Sequence, residues 1–170
     1  MGVTIHFEGR LRGDAAFDRC VSCISEFAVA KGWRAEEFTL ENQTLCRVRN
    51  EHDWDYVGPT RGIEVQPHPC SDPLRFKFDD GLFVQEYIKT QFAPIEVHLD
   101  VVCLLEKLNS IFSWLTVEDE GEYFETKEMK RLIDHRQKIE EILAELMAGD
   151  PSMRGPVRLS HGRIADYVRV

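Results

Sequence analysis

The chain has 170 residues, 43% of them hydrophobic and 10% aromatic, with a formal charge of −9 at pH 7. Length and apolar content suit a single domain built on one sizeable core and exclude disorder throughout. The charge argues against nucleic acid, whose phosphates need clustered Lys and Arg, and favours a protein partner with a basic surface.

Residues 3–9 alternate apolar and polar side chains and then meet Glu8 and Gly9, as a half-buried strand does when it runs into a turn. The segment has none of the basic, apolar, small-residue order of a secretory signal, and no apolar run in the chain approaches bilayer length. A cytoplasmic setting with no membrane partner is the expectation. Asp14 is placed to cap a helix that continues to about Lys31, with Phe17, Cys20, Val21, Ile24, Phe27 and Ala28 on one stripe and Gly32 as its stop.

Residues 44–49 alternate like a strand whose inner face carries Leu45 or Cys46, depending on register. Between them and a short strand at 63–66, residues 51–62 read as a loop that concentrates acids, an imidazole, two aromatics and an arginine. Loops of that kind carry function. In the functional reading Trp54 and Tyr56 anchor a ligand or partner, Arg61 grips a carboxylate or phosphate, and His52 with Asp53 or Asp55 supplies a base. In the structural reading Gly58-Pro59 sets a bend and Arg61 pairs with Asp53 or Asp55.

Pro67, Pro69 and Pro73 keep the chain irregular until residues 74–79, a second alternating stretch. Asp80-Gly81 then reads as a hairpin turn, with residues 82–88 returning as a strand beside it or forming a short helix. The likeness of residues 3–9 and 74–81 invites a duplicated β-α-β plan, against which residues 36–73 have no counterpart in the second half. From Pro94 onward, apolar residues cover more than half of a helix through Phe112, and Glu96, Asp100, Lys107 and Ser110 mark its wet side.

Residues 114–118 read as a strand, Glu120-Gly121 as a turn and residues 122–124 as a short return strand. The acids Glu118, Asp119, Glu120 and Glu122 then sit at a solvated hairpin tip, either a plain charged turn or an acidic contact surface. Thr126 is placed to cap a helix to about Ala148 that carries the stripe Met129, Leu132, Ile133, Ile139, Ile142, Leu143 and Leu146. The plan is thus an α+β fold, a mixed or antiparallel sheet packed against about three helices, as one domain over residues 1–149. Residues 150–170, with four Arg against two Asp, form a C-terminal extension that is loosely held or docks as a late strand.

The five cysteines are odd in number and lie mostly inside apolar patterns, which suits reduced core thiols. Cys20-x-x-Cys23 falls inside a helical stripe with no second pair, and His68, Cys70 and His52 have no zinc spacing, so neither a metal nor a cofactor is expected. Nucleophile elbows, phosphate-cradling loops, His-Glu-x-x-His and dinucleotide fingerprints are all missing, so no catalytic residue is assigned. These features together predict an acidic protein-binding or inhibitory protein, for example an inhibitor of the immunity type that masks a toxic enzyme. The alternative is a small-molecule-binding protein or hydrolase-like enzyme using residues 52–62. A homodimer through the last helix or the tail is a further assembly that the pattern allows.

Overall fold

A computed structural model describes residues 2–170 of the chain. Its framework is two three-stranded antiparallel sheets. The first has strand β1 (Thr4–Arg10) at its centre, flanked by β5 (Phe83–Lys89) and β6 (Trp114–Asp119). The second runs in the order β2 (Arg34–Arg49), β3 (His52–Gln66) and β4 (Leu74–Phe78). Helices α1 (Asp14–Lys31) and α2 (Ile95–Leu108) complete the interior, and the chain continues through the short α3 (Tyr123–Thr126) into α4 (Met129–Gly149). The α+β plan is as the sequence predicts.

The periodicities explain the core. Alternation in β1 turns Ile5 and Phe7 inward, and the same alternation in β4 buries Leu74, Phe76 and Phe78. Phe7 meets Phe76 with ring centroids 5.1 Å apart, which fastens one sheet to the other. Cys20, Ile24 and Ala28 of α1 and Val101, Leu104, Leu105 and Leu108 of α2 fill the same cluster. Gly62 lies where the backbones crowd: a Cβ there would stand 1.7 Å from the Phe76 carbonyl oxygen, so only glycine fits.

Helix α1 ends as its sequence foretells, on Gly32 in the left-handed region with φ 69°. Its start differs. Gly13 holds the cap position, and Asp14 is the first helical residue, where its carboxylate favours the positive helix end and pairs with Arg61. Three further segments depart from expectation. Residues 51–62 are not a loop: Glu51 belongs to a tight turn and residues 52–62 form the outer part of β3, paired with β2 from Arg49↔His52 onward. Residues 74–79 and 82–88 are not a hairpin pair, since β4 joins β3 while β5 joins β1. The Asp79 carboxylate accepts the Gly81 and Phe83 N–H groups and makes a corner that moves the chain between sheets. Residues 122–124 are not a strand: Glu122 caps α3, and Tyr123 and Phe124 are its first residues.

The two alternating stretches occupy unlike places, β1 central in one sheet and β4 at the edge of the other. The C-terminal extension docks on the body. It folds back as paired two-residue strands, β7 (Met153–Arg154) with β10 (Val168–Arg169) and β8 (Val157–Arg158) with β9 (Ile164–Ala165). Buried Asp72 accepts the Ile164 N–H at 2.7 Å, Lys89 meets Asp166 at 2.9 Å, and Arg163 stacks on Tyr87 at 3.7 Å while pairing with Glu86 at 2.7 Å.

Candidate functional site

Between residues 41 and 60, where β3 has no pairing with β4, β2 and β3 leave the body as a two-stranded arm. Its turn is Asn50-Glu51, both with positive φ (48° and 67°), the geometry that matches the twist of a two-residue hairpin. The pairing register shifts between Leu40 and Gln43, so two residues of β2 face Pro59 alone. That bulge removes the need for the N–H that proline lacks, which is why Gly58-Pro59 lies inside a strand rather than at a bend.

Residues directly opposite in an antiparallel pair share a face, and alternate residues change face. Asp53 faces Val48, Asp55 faces Cys46 and Val57 faces Thr44, so these six side chains form one side of the arm. His52, Trp54 and Tyr56 lie on the other side, opposite Arg49, Arg47 and Leu45. The two groups of candidates therefore point in opposite directions, and no base made of His52 with Asp53 or Asp55 assembles.

The second side is turned to the body. Arg47 is buried at 2% exposure, with its guanidinium 5.0 Å from the Phe83 ring centre. It donates to the carbonyls of Gln85 (3.2 Å) and Phe83 (3.4 Å) and lies 3.6 Å from Asp79. Burial pulls its pKa down, and Asp79 and Glu86 oppose that pull. Gln85 adds a latch, its side-chain amide donating to the Val48 carbonyl and accepting the Val48 N–H at 2.7 and 2.8 Å. The Tyr56 hydroxyl donates to the Pro59 carbonyl at 2.7 Å and accepts the Asp80 N–H at 3.2 Å. Trp54 carries the Arg49 guanidinium 5.8 Å from its ring centre.

The outward side is different in kind. Val48 and Val57 are 48% and 70% exposed, and Asp53 and Asp55 are exposed between them. Among the described residues no cation of the chain pairs with either carboxylate. Arg61, at the base of the arm, pairs with neither: it binds Asp14 and lies 4.2 Å over the Phe17 ring.

The second acidic cluster is answered from within. Asp119 is not at a solvated tip; it is buried. Its carboxylate accepts the backbone N–H groups of Gly121, Tyr123 and Phe124 at 2.7 to 2.9 Å, which bends the chain into α3 and replaces the expected return strand. Glu120 accepts the Thr4 N–H at 2.9 Å. Glu122 pairs with Arg131 at 2.7 Å, which holds its carboxyl below the ordinary range. Glu118 stays exposed on the strand, opposite His6, and Glu120 is exposed just past the strand's end.

Asp119 also belongs to a constellation the sequence did not disclose. His98 Nε2 lies 2.9 Å from Asp119 Oδ2, and His98 Nδ1 lies 2.8 Å from the Thr90 hydroxyl. An ionised carboxylate only accepts, so Nε2 carries a proton. The hydroxyl-imidazole-carboxylate order is that of a nucleophilic triad, yet Thr90 and His98 are 0% exposed. A hydroxyl sealed from water and substrate attacks nothing, and three backbone N–H groups already hold the carboxylate. The cluster is a buried polar joint between β5, α2 and β6. Its only trace in the sequence is His98 at the spacing of the apolar residues Val101, Val102 and Leu105.

Cys20 is buried, and burial pushes its thiol up to about 12, as a core role predicts. Cys46, Cys70 and Cys103 are exposed, against the expectation of core thiols. Among the described residues no three His, Cys, Asp or Glu side chains are grouped to hold a metal ion, and no helix is long and apolar enough to cross a membrane. Comparison with protein-family models, curated proteins and solved structures finds no match to the chain.

Proposed function

We propose that the protein binds a partner with a basic surface through the outward side of the β2–β3 arm. One observation carries this: among the described residues no cation pairs with Asp53 or Asp55, which stand between exposed Val48 and Val57, while the reverse side of the same arm is fastened to the body by Arg47 and Gln85. Carboxylates free of intrachain cations steer a basic partner over several ångströms, and the valines then supply contact area. Covering each valine is worth up to about 1.5 kcal/mol. The latch on the reverse side keeps the arm ordered, so little conformational freedom is lost when a partner arrives. An inhibitor of the immunity type is one form that such a contact takes.

A small-molecule or hydrolase-like site in residues 52–62 has less support, because Trp54, Tyr56 and His52 are separated from the acids by the thickness of the arm. The test is kinetic. The protein is used to capture its partner from the source cell, and association is followed with the double variant Asp53→Lys, Asp55→Lys. At low salt the variant is expected to associate about tenfold more slowly, with the difference fading as salt rises. Both positions are exposed, so thermal stability should hold. An on-rate equal to that of the parent protein overturns the assignment.

A further inference from the structure

A cleft of about 500 Å³ opens between α4, the loops before β4 and after β5, and the docked C-terminal lobe. Arg136 and Arg158 line it, together with Phe92, Ile164, Cys70 and Glu140. We propose that this cleft binds a small organic oxyanion, a carboxylate or phosphate monoester on an apolar body. The two guanidinium groups would hold the charge, and Phe92 and Ile164 would meet the rest.

Both arginines are fixed before any ligand arrives. Arg136 donates to the Thr90 and Ala93 carbonyls at 3.2 and 2.6 Å. Arg158 donates to the Ser71 carbonyl at 3.0 Å and also to those of Pro69 and Gly162. Carbonyls satisfy donors but neutralise no charge. A guanidinium has five N–H groups, so each retains donors for a ligand. Among the described residues neither arginine has a carboxylate at ion-pair distance, whereas Arg47, Arg61, Arg75, Arg131 and Arg163 each have one. In a chain of net charge −9, two anchored arginines that line one cleft without an intrachain carboxylate are placed to hold an anion. Partial burial of Arg136 lowers its pKa, opposed by Glu140 and Glu96, and a bound anion would relieve the same cost. Glu140 is exposed at the rim and repels such a ligand, which limits its affinity.

Cys70 offers the readout, since it lines the cleft and is exposed, while Cys46 and Cys103 are exposed outside it. Alkylation of the three thiols is followed by peptide mass spectrometry with benzoate, phenyl phosphate, inorganic phosphate or uncharged benzyl alcohol present. Saturable protection of Cys70 by benzoate or phenyl phosphate, with Cys46 and Cys103 unchanged, is the expected result. The better protector identifies the head group. Arg158→Gln should weaken protection about tenfold or more, the weight of a charge-assisted hydrogen bond, and Glu140→Gln should strengthen it. Glu140 lies on the surface, so its variant reports even if Arg158→Gln disturbs the lobe. Absence of protection in both the parent and Glu140→Gln, or equal protection by benzyl alcohol, overturns the proposal.

Discussion

Asp119 shows how much one side chain can decide. Burial alone would raise its pKa, but bonds from His98 and from the backbone of Phe124 and Gly121 bring it below the ordinary carboxylate value. A carboxylate depressed in the folded state contributes stability above its unfolded pKa of about 3.9, and that contribution is lost as pH falls through the folded value. Asp119→Asn is therefore expected to cost about 3 kcal/mol or more at pH 7 in urea unfolding, and to flatten the fall in stability below about pH 4. An unchanged acid profile would show that Asp119 is not the group responsible. This role could not be read from the acids 118–122, because a charge run looks the same whether it meets water or three N–H groups. What separates Asp119 from Glu118 is the strand register that turns alternate residues inward, and only pairing with β1 sets that register.

At the scale of elements, legibility followed the strength of periodicity and of stop signals. Helix α1 lies where its stripe and Gly32 put it, and β1 follows its alternation but runs through Gly9 to Arg10, because both neighbouring strands pair with it there. The arm looks like a loop in sequence because Asp, Gly and Pro are poor strand formers, and because its turn, Asn50-Glu51, lacks the usual glycine. The alternation Asp53-Trp54-Asp55-Tyr56-Val57 was nevertheless a strand signal of period two. Arg47 was legible only as a polar residue in an alternating run, yet it is the pin that fastens the arm. Arg47→Ala should raise amide hydrogen exchange across residues 42–58 while leaving α1 and α2 as protected as before. Equal protection of the arm in parent and variant would show that the ladder with β3 and the Gln85 latch suffice without it.

At the scale of the whole molecule, the docked C-terminal lobe closes the surface over β5 and one side of the cleft. Asp72, 1% exposed, holds it by accepting the Ile164 N–H, and Arg163 lies 3.5 Å from the same carboxylate. Asp72→Ala leaves that N–H and part of the Arg163 charge without a partner, at a cost of about 2 to 4 kcal/mol. The expected result is proteolytic cleavage within residues 150–170 well before the body is cut, and a lobe that stays resistant would contradict the docking described here. The outward side of the arm is the proposed contact surface, and site-specific photo-crosslinking tests that assignment. A photoreactive residue at position 57 should capture a basic partner, in an adduct that high salt or Asp53→Lys with Asp55→Lys suppresses. The same residue at position 29, an exposed apolar site on α1, should capture nothing. Adducts formed at position 29 and not at position 57, or at neither, would contradict the account.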